Sequence, residues 1–263
     1  MEIDATLGSS VLPESKARDE AVTSSPARAA HFEGKLSSVA VVFPAYNEEG
    51  NIEKTVNLAL DAFSKYFDQV TIIPVNDGGR DRTGEIIDRM AAKDLRVAPV
   101  HHPVNRGYGG ALRSGFEAAD ADYVFFSDSD GQFDMEEIVN LLPHILNHDM
   151  VVGYRHNRAD PFHRKLNAWA WGCMVKLLFG IKAKDIDCAF KLFRRKVFDN
   201  VQLSSSGAMI NTELLAQARK QGFSLINIPV SHYPREEGTP TGANPAVILK
   251  AFAELFKLYR RIS

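Results

Sequence analysis

Asp128 and Asp130 stand two residues apart at the end of an apolar run, Tyr123-Val124-Phe125-Phe126, and are followed by Gly131-Gln132. If the chain stays extended there, alternation puts both carboxylates on one side. Two carboxylates so close repel each other unless a cation sits nearby, which points to a divalent metal. Magnesium is typically held by one or two carboxylates together with substrate phosphates, so the same pair leaves room for a nucleotide diphosphate. A solvated turn rich in Asp and Gly would carry the same letters. The apolar strand directly ahead of them favours metal or phosphate chemistry.

These carboxylates need a sheet to carry them. Short β-branched and aromatic runs at 39–43, 70–75, 96–100, 123–126 and 150–152 read as strands. Helical stretches at 51–66, 83–92, 109–119 and 135–147 lie between them. Strands alternating with helices imply an α/β fold with a mostly parallel central sheet covered on both faces. In such sheets ligands bind at the carboxyl ends of the strands. The loops after the first, second and fourth strands carry Pro44-Ala45-Tyr46-Asn47-Glu48, Asn76-Asp77-Gly78-Gly79 and Asp128-Ser129-Asp130, so all three open onto one edge. After Gly153 the rhythm changes to a helix at 164–179, a strand at 189–193, a helix at 212–220, a strand at 225–230 and an amphipathic helix at 245–262.

The chain has 263 residues, 45% hydrophobic and 24% charged, with a net charge of −2, which gives no reason to expect nucleic acid as a partner. Cys173 and Cys188 form no CxxC pair, so neither a disulfide framework nor a zinc site is expected. No signal peptide is evident, and no run approaches the roughly 18 apolar residues of a membrane span. The expected setting is cytoplasmic, peripheral at the cytoplasmic membrane face. Residues 1–37 read as a disordered arm, 38–240 as the folded domain and 241–263 as a C-terminal amphipathic helix.

Taken together these loops resemble family 2 glycosyltransferases of GT-A fold, and within them the dolichol- or polyprenyl-phosphate mannose and glucose synthases. The resemblance covers roughly residues 38–240. Beyond the three loops it rests on Asn105-Arg106-Gly107-Tyr108-Gly109-Gly110-Ala111, Gly153-Tyr154-Arg155, the segment DIDCAFKLFRR at 185–195 and PVSHYPREEG at 229–238. It implies inverting transfer of a hexose from a nucleotide-diphosphate sugar to a polyprenyl phosphate, with Mg2+ or Mn2+. Asp130 would touch the metal, and Asp128 the metal or the donor ribose. Gln132 would meet a sugar hydroxyl or orient the metal shell. Asp77 would accept from the ring N–H of the base, Glu48 would bind ribose hydroxyls, and Tyr46 would lie beside the base, with Pro44 and Ser129 in the same nucleotide-sugar site. Arg155 and Arg235 suit phosphates as planar donors, and Arg164 with Arg235 would meet the acceptor phosphate. Such an acceptor is already anionic and needs no general base. A membrane surface or a small membrane-anchored protein would be a further partner.

The chain departs from the family pattern at several positions. Asn76 stands for a first Asp, Gly79 for Ser, Cys188-Ala189 for Ser-Gly, and Thr241-Gly242 for Ser-Lys, which removes a cation. The acceptor could instead be a soluble sugar, a protein or another lipid. A haloacid-dehalogenase-type phosphatase also uses Asp-x-Asp-Gly, but on its first strand and without Gln at the place of Gln132. A non-catalytic scaffold is the reading that Asn76 and Gly79 keep open. His101 and His102 read as loop residues, His144 and His148 as a solvated face, and the helix with Trp169 and Trp171 as core or as a lipid-surface helix.

Overall fold

A computed structural model describes residues 32–156, 162–234 and 245–262, with the side chains of 162–170 and 245–253 excepted. Strand β1 (Leu36–Ala45) is followed by α1 (Ile52–Phe63), β2 (Phe67–Asn76), α2 (Thr83–Lys93), β3 (Val100–His101), α3 (Tyr108–Ala118) and β4 (Tyr123–Ser127). A 3-10 helix (Met135–Asn140), α4 (Leu142–Ile145), β5 (Met150–Arg155), α5 (Phe162–Phe179), β6 (Phe190–Arg194), α6 (Met209–Lys220), β7 (Leu225–Val230) and α7 (Pro245–Ile262) complete it. The seven strands form one sheet in the order β3-β2-β1-β4-β6-β5-β7.

The centre of β1 is apolar because both its faces are covered: Val39 to Phe43 are all buried, as a doubly covered parallel strand requires. Consecutive residues on β4 sort the two layers. Phe125 meets Phe63 of α1 at 5.0 Å between ring centroids, while Phe126 meets Phe116 of α3 at 5.5 Å, so these helices lie on opposite faces. Helix α1 follows the pattern of its buried Ile52, Val56, Ala59, Leu60 and Phe63, one stripe at helical spacing.

β1 pairs in parallel with β2 and with β4, which puts three successive loops at one sheet edge. β6 is antiparallel to both β4 and β5, so the sheet is mostly parallel with one reversed strand inside it. That reversal sets Phe190 opposite Ser127, directly behind the Asp128 turn.

Several expected elements shift at their ends, as β1, α1, β2 and α6 do, and two change in kind. The strand at 96–100 reduces to Val100–His101 plus an isolated bridge from Val97 to Ile72. Pro99 has no N–H for the ladder, and Arg96 is tied to Asp94 beside it. The helix expected over 135–147 breaks at Leu141, because Pro143 cannot donate to the carbonyl four residues back. β1 starts at Leu36, and residues 1–31 of the expected arm lie outside the described residues.

Candidate active site

The loops leaving β1, β2, β3 and β4 surround a cleft of about 970 Å³. Pro44, Tyr46, Glu48, Asp77, Asp128, Ser129 and Asp130 all line it, together with Asn47, Asn51, Arg80, Asp81, Asn105 and Tyr108. Seven residues singled out from the sequence therefore meet at one carboxyl edge.

The first two loops interlock through side chains that bond to backbone. Asn47 sits at φ 56°, a left-handed conformation that Asn tolerates, and its Oδ1 accepts the Arg80 N–H at 2.8 Å. Thr83 Oγ1 accepts the Glu48 N–H at 2.8 Å, and Asp81 Oδ2 accepts the Glu49 N–H at 3.0 Å. Burial works against the charge on Asp81, but bonds from Thr83 and from the Glu49 amide hold its carboxyl below the usual carboxylate range. Glu48 receives the Asn51 Nδ2 on Oε2 at 2.9 Å and also begins α1 through its carbonyl. Tyr46 is 45% exposed, which leaves a ring face for a ligand.

The Asn76 turn closes with Gly79 N–H donating to Asn76 Oδ1 at 3.1 Å. A Cβ at Gly79 would stand 3.1 Å from that oxygen and 3.3 Å from Asn47 N, so a serine there would crowd this turn. Asp77 follows, 3% exposed, with Oδ1 accepting from Arg106 N–H at 2.8 Å and 2.6 Å from His102 Nδ1.

The glycine-rich loop serves close backbone packing. Gly107 has φ 81°, and its Cβ would lie 2.5 Å from the Ser206 carbonyl oxygen. Gly109 donates its N–H to that same oxygen at 2.8 Å, and a Cβ on it would stand 2.2 Å from Ser205 O. This contact sets Tyr108 against the carboxylate corner of the cleft.

β4 ends at Ser127, and Asp128 emerges partly exposed at the cleft floor while Asp130 is 4% exposed. The turn at Gly131 has φ 74°, and Gln132 N–H donates to Asp130 Oδ1 at 3.2 Å. Burial, and next to it the Asp130 charge, push the Asp128 carboxyl up to about 6. The hydroxyl of Tyr108 and the charges of Lys191 and Arg155 pull the other way. A carboxylate pair under this strain is what a hard cation relieves. Among the described residues no group of three or more His, Cys, Asp or Glu could hold a metal, so the protein would supply carboxylate oxygens and leave other positions to ligand or water. The pair fits a magnesium- or manganese-type ion in that sense.

Ser129 lines the cleft, but its hydroxyl is used in holding the loops: Oγ donates to Pro44 O at 2.8 Å, and Thr55 Oγ1 donates to Ser129 O at 3.1 Å. Gln132 and Arg155 lie beside the cleft. Gln132 Nε2 donates to Tyr233 O at 2.8 Å, and Tyr233 N–H returns a bond to Gln132 O at 2.9 Å. Arg155 grips Asp185 with both prongs, Nε at 2.7 Å and Nη2 at 2.9 Å. Burial opposes its charge, but Asp185 raises the guanidinium further above its ordinary range. Arg235 and Thr241-Gly242 lie outside the described residues, as does the side chain of Arg164 on α5.

Sequence reasoning passed over four contributors. Tyr108 donates to Asp128, and burial with that carboxylate raises its hydroxyl well above the usual phenol range. Lys191 is completely buried on β6, with Nζ donating to Asn211 Oδ1 at 3.0 Å and to Cys188 O, and lying 4.9 Å from the Phe126 ring centroid. Burial lowers its affinity for a proton and pushes the Cys188 thiol up to about 12. A lysine inside the apolar strand FKLFR was the readable signal, since a buried charge requires partners. Asn211 and His102 left no such mark in the sequence.

Comparison with known proteins places this geometry. The description Glycosyl transferase family 2 fits residues 40–202. The chain is 33% identical over 207 residues to Glycosyltransferase AglD of Haloferax volcanii, covering 75% of this chain and 33% of that protein, so it spans a third of that relative's length. It is 29% identical over 211 residues to polyprenol monophosphomannose synthase of Mycolicibacterium smegmatis, covering 75% of this chain and 78% of that enzyme. Among solved structures, glucosyl-3-phosphoglycerate synthase from Mycobacterium tuberculosis, crystallised with Mn2+ and UDP-glucose, superposes with a TM-score of 0.66 at 18% identity, over 84% of this chain and 78% of that one. The fold is thus the GT-A fold of nucleotide-sugar transferases. With its strand-end carboxylates and three loops inside or adjoining the matched span, this chain belongs to glycosyl transferase family 2, a family of enzymes.

Proposed function

We propose that this protein moves a hexose from a nucleotide-diphosphate sugar to a polyprenyl phosphate, with inversion at the anomeric carbon and with Mg2+ or Mn2+ held by Asp130 and Asp128. The observation that carries this reading is the carboxylate pair at the end of β4, facing a cleft whose other wall is built from the β1 and β2 loops. The acceptor class draws support from the name of the Mycolicibacterium smegmatis relative, and the cation from the Mn2+ bound in the glucosyl-3-phosphoglycerate synthase crystal. When bound, the cation supplies Lewis-acid stabilisation of the charge that develops on the departing diphosphate.

The chain's own groups do the rest. Tyr46 offers a ring face to the base, Asp77 accepts its ring N–H, and Glu48 accepts from the ribose hydroxyls, with Pro44 and Ser129 shaping the wall. An oxygen of the acceptor phosphate forms the new bond to C1 as the bond from C1 to the diphosphate oxygen breaks, and the diphosphate keeps the electron pair. The acceptor is anionic at neutral pH, so no residue has to remove a proton. Arg155, held by Asp185, adds positive charge beside the Asp128 corner where the phosphates would lie, and Gln132 orients the sugar or the cation's shell. Arg164 and Arg235 are the residues that would bind the acceptor phosphate. In this reading the transferase domain begins with β1 at Leu36 and runs to 240, the residues ahead of it are an arm, and 241–263 are a helix at the cytoplasmic membrane face. Among the described residues no helix is long and apolar enough to cross a membrane.

The test offers GDP-mannose, UDP-glucose and UDP-N-acetylglucosamine to the full chain with polyprenyl phosphate, with Mg2+, with Mn2+ and with EDTA. Lipid-linked sugar formed with a cation and lost in EDTA is the expected result. If every donor leaves the lipid unmodified while a soluble acceptor is glycosylated, the acceptor assignment fails. If Asp130→Ala retains full cation-dependent turnover, the metal assignment fails.

A further inference from the structure

β3 ends at His101 and His102 follows it directly, with the two side chains on opposite sides of the chain. His101 points outward, with Nε2 2.9 Å from Asp88 Oδ1 at the surface. His102 points inward and is 5% exposed. Its Nδ1 lies 2.6 Å from Asp77 Oδ1, its Nε2 2.9 Å from Ser114 Oγ on α3, and its backbone N–H donates to Asn76 O at 2.9 Å. The ring is therefore held at both nitrogens and at its root.

The bond to Asp77 has a direction. Arg106 N–H, which can only donate, ends on the same Oδ1 at 2.8 Å, so that oxygen is an acceptor and His102 meets it with Nδ1–H. Nε2 then faces the Ser114 hydroxyl, which can take either role. Two donors converging on Oδ1 fix the plane of the carboxylate and leave Oδ2 for the cleft that Asp77 lines. A contact of 2.6 Å between two groups that are both almost wholly buried holds that orientation firmly.

We propose that His102, braced by Ser114, is a positioning residue for donor selection: it presents Asp77 Oδ2 as a fixed acceptor, so the cleft favours nucleotides whose base carries a ring N–H. Uracil N3 and guanine N1 carry that hydrogen. Cytosine N3 and adenine N1 present a lone pair in the same place, which opposes the carboxylate. The proposal rests on the reading of the cleft as a nucleotide-sugar site.

Calorimetric titration of UDP, GDP and CDP with Mg2+ into the full chain tests it. A hydrogen bond to a charged acceptor corresponds to about 10- to 100-fold in affinity, so the wild type should bind UDP or GDP about that much more tightly than CDP. In His102→Ala the preference should fall to within about threefold, and KM for the donor should rise more than kcat falls. His102→Asn, whose amide nitrogen takes the place of Nδ1 and can still donate to Oδ1, should recover most of the preference. If His102→Ala does not fold, His102→Leu carries the same expectation, since it fills the space without a donor. A folded variant with a lowered melting temperature but an undiminished preference would show that His102 only supports the fold and would overturn the proposal. The underlying reading is separately exposed. If the wild type binds none of the three, or Asp77→Ala keeps the wild-type preference, the cleft assignment fails whatever His102 does. If Asp77→Ala loses the preference and His102→Ala keeps it, only the role of His102 is refuted.

Discussion

Replacing Asp128 by Asn should make the metal-free protein more stable at neutral pH while abolishing sugar transfer. Burial and the Asp130 charge raise the Asp128 carboxyl from 3.8 to about 6 in the folded chain. Between those values the folded state binds more protons than the unfolded one, so stability falls as pH rises and the full cost is present above about pH 6. At about 1.4 kcal/mol per pH unit the gap amounts to about 3 kcal/mol. Asp128 keeps part of its surface in water, and solvent screening brings this to roughly 1–2 kcal/mol. The Asn side chain removes the charge and keeps an oxygen for the Tyr108 hydroxyl. At roughly 2–4 °C per kcal/mol for a chain of this size class, the variant should melt about 2–8 °C above wild type at pH 7–8 in EDTA. The advantage should fall to about half by pH 5 and vanish near pH 4, where the unfolded carboxyl also protonates. Added Mn2+ or Mg2+ at pH 7.5 should reverse the order, because a cation at 100 times its Kd stabilises the protein that binds it by about 2.7 kcal/mol. Thermal unfolding followed by circular dichroism across this pH range decides the matter. A variant no more stable than wild type at pH 8, or an advantage independent of pH, would refute the account of Asp128 as a burdened carboxylate.

Tyr108→Phe removes a donor that favours the charged form of Asp128; cation affinity at pH 7 should drop about 10-fold, and the acid limb of the kcat/KM profile should move to higher pH. An acid limb in the wild-type position would contradict this. Gly109→Ala places a methyl 2.2 Å from the Ser205 carbonyl oxygen, so the urea midpoint should report a loss of at least about 1–3 kcal/mol, and an unchanged midpoint would count against the close-packing role of the loop. Lys191→Met keeps the volume but strips a donor from Cys188 O and Asn211 Oδ1; a cost of about 1–3 kcal/mol per orphaned acceptor is expected in chemical denaturation, and full stability would show that the buried ammonium is dispensable.

Much of the scaffold was legible because burial on both faces forces unbroken apolar runs, and these stand out in β1, β4 and β5. The cleft was legible for a related reason, since parallel strands deliver their following loops to one edge and those loops carried the polar residues. Strand direction leaves no trace in composition, so the reversal of β6 could not be read, although it brings Lys191 beside Phe126. Pro99 and Pro143 did mark the shortened β3 and the broken helix, yet the apolar spacing around them outweighed the missing N–H groups. His102 looked like a loop residue because its partners Asp77 and Ser114 lie 25 and 12 residues away, a distance that only the fold closes.

The two sides of the cleft are stabilised in opposite ways, and this bears on how a donor would bind. On the side of Asp77 every bond runs inward: Asn47, Asp81, Thr83 and His102 fasten loop to loop, and the acceptor offered to a base is held in place before any ligand arrives. Such preorganisation lowers the ordering cost of recognition. On the side of Asp128 and Asp130 the chain buries two carboxylates side by side, a burden that Tyr108, Lys191 and Arg155 relieve in part, so this corner gains stability when positive charge is brought in. A nucleotide without a cation would meet a prepared base site and a repelling phosphate site, whereas nucleotide and cation together satisfy both. Affinity for a nucleoside diphosphate should therefore depend on the cation far more steeply than affinity for the nucleoside alone. That difference between the two ligands locates the electrostatic demand at the β4 turn and not in the fold as a whole.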